Sequence, residues 1–316
     1  MKVKNNTPSE NTVLKLMIPA VFCTLLWGTA FPAIKSGYGF FQIGSADVGS
    51  KLLFAGARFF IAGIIVLLIM VCGRSDKIRI IPGRSDILPV LSLGFFQTFL
   101  QYLLLYLGIS AVSGTKSALY TSVAAFATVL VSPLFFKGDY ISMKKTAGCI
   151  VGVSGILFMT FNDGGLGGFT FSGDGLVLLS NLSGAAGNLV SKKVTSGERT
   201  PSFAAAWQLI SGGTGLIITG LAFGGDLTRG SVTGWLVLIY LAVMAGVAFM
   251  IWTDLLKKNT VSRVAVYNLL IPVFGTMWSG IFLGENILTP VNLIALILVC
   301  GGIFLVNYSP AKSLHS

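Results

Sequence analysis

Among the polar side chains inside the long apolar runs of this chain are the carboxamides Gln97, Gln101, Asn181, Asn188, Gln208 and Asn268 and the guanidinium of Arg58. Polar groups are costly in apolar surroundings, so they must face each other or a wet cavity. A carboxamide donates and accepts hydrogen bonds but does not titrate. The chemistry on offer is recognition of a polar solute. Catalysis has little to work with. The one histidine, His315, lies in the C-terminal tail, no run holds paired carboxylates, and no Gly-rich nucleotide loop carries the needed Lys-Ser/Thr. Cys23, Cys72, Cys149 and Cys300 show no metal spacing and are expected as free thiols. Asp254 is the only acid expected inside a run, with Lys257 and Lys258 placed at i+3 and i+4 for a local ion pair. Neither enzyme chemistry, a cofactor nor a metal is expected.

These side chains need long apolar elements to carry them. Ten runs qualify, at about 13–36, 52–73, 87–109, 112–136, 143–161, 174–191, 202–224, 232–256, 261–283 and 288–308. Each is close to the roughly 20 residues that a helix needs to cross a bilayer. Composition agrees: 54% of the 316 residues are hydrophobic and 10% are charged, against about 25% charged in a soluble domain. Basic residues alternate between the gaps. The N-terminal segment, the even gaps and the C-terminal tail hold Lys2, Lys4, Lys15, Arg74, Lys77, Arg79, Arg84, Lys137, Lys144, Lys145, Lys192, Lys193, Arg199, Lys257, Lys258, Arg263 and Lys312. The odd gaps and their edges hold Lys35, Lys51, Lys116 and Arg229. Basic loops stay in the cytoplasm during insertion, so both termini are expected inside. The net charge of +11 is accounted for by these loops and calls for no nucleic-acid partner. The first run shows no convincing cleavage site and reads as an uncleaved span. The expected class is an all-α integral membrane protein in a plasma (bacterial inner) membrane, as monomer or homodimer in the lipid bilayer.

The second half echoes the first. Val112–Tyr120 parallels Val261–Tyr267, with Lys116 matching Arg263 and Tyr120 matching Tyr267. Phe136-Lys137-Gly138-Asp139 parallels Phe282-Leu283-Gly284-Glu285. Five spans per half reverse the chain direction, so a 5+5 inverted repeat is expected, 1–161 and 162–316. Inverted repeats are the usual architecture of carriers that alternate access around a midplane site.

Spacing assigns faces. Gln97, Gln101 and their neighbours Gly94, Thr98 and Gly108 form one stripe, Asn181 and Asn188 another, with Gln208 and Asn268 on the seventh and ninth runs. Each stripe has two readings, cavity lining or helix packing. Trp27 and Tyr102 lie too deep for an interfacial belt and are expected as lining residues; symmetry gives Tyr120 and Tyr267 equivalent roles. Pro32 and Pro272 can bend their helices. Arg58, about two turns or ~10 Å into the second run, either contacts an anionic group or snorkels to the outer surface. Gly148-x-x-x-Gly152 reads as a close-packing motif.

Trp27-Gly28-Thr29-Ala30-Phe31-Pro32-Ala33-Ile34-Lys35, Ala57-Arg58-Phe59, Asn268-Leu269-Leu270-Ile271-Pro272-Val273-Phe274 and Phe282-Leu283-Gly284-Glu285 resemble signatures of the drug/metabolite transporter superfamily, EamA branch. The likeness runs from about residue 15 to 308. It departs at Ala125, which stands where symmetry with Pro272 asks for proline. The resemblance implies a 5+5 inverted repeat and, usually, export of small metabolites. Together with the residue inventory it leads to an expected secondary transporter of a small polar metabolite, such as an amino acid or a related compound, as exporter, facilitator or exchanger. The alternatives are a proton-coupled antiporter, an importer of the same fold, a channel and an intramembrane enzyme.

Overall fold

The computed structural model describes residues 10–72, 80–108, 125, 127–137, 139–162, 170–283 and 290–307. They are helical almost throughout, with no strand among the described residues. In chain order the helices are α1 (Glu10–Phe40), α2 (Val48–Cys72), α3 (Arg84–Gly108), α4 (127–135), α5 (Met143–Asn162), α6 (Leu176–Thr195), α7 (Pro201–Ala222), α8 (Val232–Lys258), α9 (Val261–Leu283) and α10 (Pro290–Asn307). Six of them carry stretches long and apolar enough to cross a membrane: Leu14–Phe40, Val48–Cys72, Arg84–Gly108, Pro201–Ala222, Val232–Lys258 and Val261–Phe282. Outward faces are apolar, as with Ile64 and Leu68 on α2, Ile218 and Leu221 on α7, and Ile297 and Phe304 on α10. In lipid such faces need no cover.

Two helix pairs form the frame. Gly49, Gly56 and Gly63 recur every seventh residue on α2 and face Gly220, Gly213 and Ala206 of α7. The paired numbers run in opposite directions, so the helices are antiparallel. A Cβ on Gly56 would sit 2.6 Å from the Ile217 nitrogen and 2.9 Å from the Gly213 carbonyl oxygen. The backbones touch because nothing stands between them. The same device joins α5 to α10, where a Cβ on Gly148 would meet the Gly302 carbonyl at 2.7 Å. The Gly148-x-x-x-Gly152 motif is therefore used inside the molecule. Around these pairs, α1 packs on α8 and α9, α2 on α8, and α3 on α6 and α7.

One end of the bundle is basic. Lys192 donates to the carbonyls of Lys257 (2.9 Å) and Asn259 (2.7 Å), and Lys257 to that of Arg199 (3.0 Å). Arg199 pairs with Asp86 at 2.8 Å. At the same end, Asp139 accepts from Lys145 (2.6 Å), Ser132 (2.8 Å), and the hydroxyl and backbone N–H (3.0 Å) of Ser262. Lys145 also donates to the Ser262 hydroxyl at 2.7 Å. Burial pushes the Asp139 carboxyl up, but Lys145 and Ser262 outweigh it and hold it below the ordinary carboxylate range. This cluster ties the stretch before α5 to the start of α9. At the opposite, distal end the Ser231 N–H donates to the Phe40 carbonyl (3.1 Å), joining the end of α1 to the start of α8.

Candidate functional site

A cavity of about 390 Å³ lies between α1, α2, α3, α6, α8 and α9. Its inner end reaches Asn188 and Trp252, six or seven residues short of the basic ends of α6 and α8. Its wall then follows Trp27, Ile34 and Tyr38 along α1 to Lys51 and the exposed Lys35 near the distal end.

Helix winding aims the polar wall. In α3, Phe95–Leu100 is wound as a π-helix, a device that adds a residue per turn and recurs at functional sites. Gln97 and Gln101 lie in and just after this stretch and face the cavity. Thr98 instead meets Gly212 of α7, and Gly108 meets Gly173 and Val177. The glycines of α6 make room: a Cβ on Gly184 would meet the Gln101 amide at 2.9 Å, and one on Gly187 would overlap Gln97. In α9 the winding tightens to a 3₁₀ turn over Val266–Leu269. Pro272 lacks an N–H, and its ring crowds the carbonyl four residues back, that of Asn268. The tightened turn ends next to that break and carries Asn268 into the cavity wall.

The amides at the inner end form a directed relay. The Trp252 indole N–H donates to Asn188 Oδ1 at 3.1 Å, and Gln97 Nε2 donates to the same oxygen at 3.2 Å. An indole nitrogen can only donate, so it fixes the Asn188 amide orientation, and Asn188 in turn fixes Gln97. Gln97 Oε1 is left buried without a partner. From Trp252 an aromatic wall runs to the middle of α2. Ring centroids are 5.0 Å apart for Trp252–Trp27, 5.5 Å for Trp27–Phe249, 6.3 Å for Phe249–Phe59 and 4.5 Å for Phe59–Tyr102.

Arg58 ends that wall. Its guanidinium lies 4.4 Å from the Phe59 ring centre and 5.5 Å from that of Tyr102. Only 4% of the residue is exposed, and Nε has no hydrogen-bond partner. Arg58 does not snorkel. The helix also begins a turn earlier than its hydrophobic run suggests, at Val48, which puts Arg58 ten residues or ~15 Å in. Lys51, two turns nearer the distal end on the same face, donates to the Ser45 carbonyl.

Trp27, Gln97, Gln101, Tyr102, Asn181, Asn188, Asn268 and Arg58 thus line one cavity. Gln208 does not. It is fully buried where α7 meets α3, with both amide atoms unpartnered. Tyr267 is buried in the core beside Trp252 and Leu269, off the cavity. Pro32 and Pro272 are buried within their helices and line nothing. Tyr120 lies outside the described residues. Sequence reasoning missed Lys35, Tyr38, Lys51 and Phe249. Asp254 pairs with Lys258 at 2.7 Å, on a partly exposed surface away from the cavity.

The model of the EamA-like transporter family matches this chain twice, over residues 14–161 and 171–308. The chain belongs to the EamA-like transporter family. This EamA-like chain is accordingly a transporter and a multi-pass membrane protein of the drug/metabolite transporter superfamily. It is 26% identical over 304 residues to a Bacillus subtilis protein named "Uncharacterized transporter YoaV", covering 94% of this chain and 98% of that one. It is 25% identical over 300 residues to a Salmonella typhimurium protein named "Probable amino-acid metabolite efflux pump", covering 90% and 92%. A solved crystal structure shares its fold with a TM-score of 0.73 at 17% identity, covering 92% of this chain and 96% of that one.

Proposed function

We propose that this transporter moves small polar metabolites, amino acids or related compounds, by alternating access, as an exporter, facilitator or exchanger. The cavity carries the reading: an amide-lined, aromatic-walled space between helices of both halves. Ten spans in two five-helix repeats, 1–161 and 162–316, are part of it. Helix pairing supports that symmetry. Exchanging each helix for the one five positions on leaves the α2–α7 and α5–α10 pairs unchanged, turns α1–α8 into α6–α3, and turns α2–α8 into α7–α3. The name of the Salmonella relative, probable amino-acid metabolite efflux pump, points the same way.

With the basic end in the cytoplasm of a bacterial inner membrane, this is an outward-facing state. The Asp139–Lys145–Ser262 cluster and the Asp86–Arg199 pair close the inner side. No acid or histidine is among the described lining residues, which supports facilitated movement or exchange over proton antiport. The test is counterflow in proteoliposomes with an amino-acid and metabolite panel. Saturable exchange that is impaired by Gln97→Leu, Gln101→Leu and Asn188→Leu is expected. Ohmic current would mean a channel, and full activity in all three variants would sink the site.

A further inference from the structure

The cavity wall is electrically one-sided. Lys35, Lys51 and Arg58 line it, and no Asp or Glu is among the described lining residues. Arg58 matters most. It is 4% exposed, its buried Nε has no hydrogen-bond partner, and it lies against two aromatic rings. A buried cation without a counter-charge is unfavourable, and an anion delivered by a ligand removes that penalty. From Arg58 the wall continues as Phe59, Phe249, Trp27 and Trp252, neighbouring rings 5.0–6.3 Å apart. This is an apolar face next to a cation.

We propose that the cavity selects small organic anions: one carboxylate, held at Arg58, on a flat apolar body that lies along the Phe59–Phe249–Trp27–Trp252 wall. The proposal narrows the transport reading above from amino acids to related organic anions, and rests on that reading for the site's role. A zwitterionic amino acid fits less well. Its ammonium group is fixed beside its carboxylate, so it would be carried towards Arg58 and Lys51 with no acidic side chain among the described lining residues to receive it. An organic cation meets the same repulsion without the compensating carboxylate.

A matched series isolates charge: 3-(4-hydroxyphenyl)propanoate, tyrosine and tyramine share one phenol body and differ in net charge. Binding to the full-length protein in detergent is measured by calorimetry. The anion is expected to bind at least about tenfold tighter than tyrosine or tyramine. A hydrogen bond to a charged group corresponds to a factor of about ten to a hundred, so Arg58→Gln should weaken the anion by that factor and should not weaken tyramine, whose repulsion by Arg58 it removes. Arg58→Lys should keep the order. Tighter binding of tyrosine or tyramine by the wild type, or no binding of the anion, overturns the proposal even if Arg58→Gln does not fold. So does an unchanged anion preference in Arg58→Gln. Counterflow of the same three compounds separates the two readings. Anion binding without exchange of any compound would sink transport and leave the selectivity standing. Saturable exchange of tyrosine with no binding of the anion would do the reverse.

Discussion

Asn188→Leu is expected to be the most destabilising of the amide substitutions. Asn188 Oδ1 accepts two hydrogen bonds, from Trp252 at 3.1 Å and Gln97 at 3.2 Å. Both donors are buried, at 1% and 5% exposure. Leucine keeps the volume but leaves both donors without an acceptor. Interhelical hydrogen bonds in membranes contribute on average about 0.6 and at most about 1.7 kcal/mol each, so losing two costs about 1–3 kcal/mol. Gln97→Leu removes one donor and leaves Asn188 paired with Trp252; its cost is about one bond. In a Trp252→Phe background the Asn188→Leu cost should fall by about one bond, since one stranded donor is already gone. The measurement is a double-mutant cycle by unfolding in mixed micelles, followed by circular dichroism. The relay is refuted if Gln97→Leu costs more than Asn188→Leu. It is also refuted if the Asn188–Trp252 coupling stays within the roughly 0.3–0.5 kcal/mol expected of independent sites.

Asp139→Asn should destabilise by about 3–5 kcal/mol, because it leaves the buried Lys145 without its counter-charge. The wild type's advantage over this variant should be full above the ordinary Asp pKa of 3.8 and vanish as pH falls through the lowered value, which a pH series of melting curves reads. Gly56→Leu should abolish folded protein in detergent, since its Cβ meets backbone at 2.6 Å, whereas Gly44→Ala, with nothing within 4 Å, should behave as wild type. Cysteine placed at Gly165 should react with an impermeant reagent from outside and cysteine at Ser75 should not; the reverse labelling would invert the proposed topology. Asp254→Asn should retain downhill flux, because its ion pair is exposed and of the class that contributes about 0–1 kcal/mol; pH-driven uptake lost in this variant would instead indicate proton antiport.

The helices were legible because lipid-facing runs must be apolar and loops basic. Most observed ends lie within four residues of the apolar runs. α2 starts early because Val48-Gly49-Ser50-Lys51 breaks the hydropathy while Lys51 still reaches a carbonyl. The fourth run is described only in part. Polar residues on apolar helices announced that they avoid lipid, which brought Gln97, Gln101, Asn181, Asn188 and Asn268 to one cavity. The same signal placed Gln208 there wrongly, since it cannot say whether the partner is a cavity or a helix. Phe249 and Tyr38 gave no contrast against an apolar background. The π-turn packs on α6 residues such as Ser183, far along the chain from Phe96, and the glycine seam on helices further still, which local spacing does not reveal.

The seam between α2 and α7 also sets a schedule for biosynthesis. Gly56 and Gly213 touch, yet about 150 residues separate them, which at ribosomal rates of about 5–20 residues per second takes roughly 8–30 s to make. For that interval the glycine stripe of α2 lacks the α7 stripe that covers it in the folded protein. The nascent half-protein must be tolerated by the lipid, shielded by a membrane chaperone or met by membrane proteases. A substitution in α7 that slows docking therefore exposes α2, and its effect would be read as lost abundance before any effect on flux.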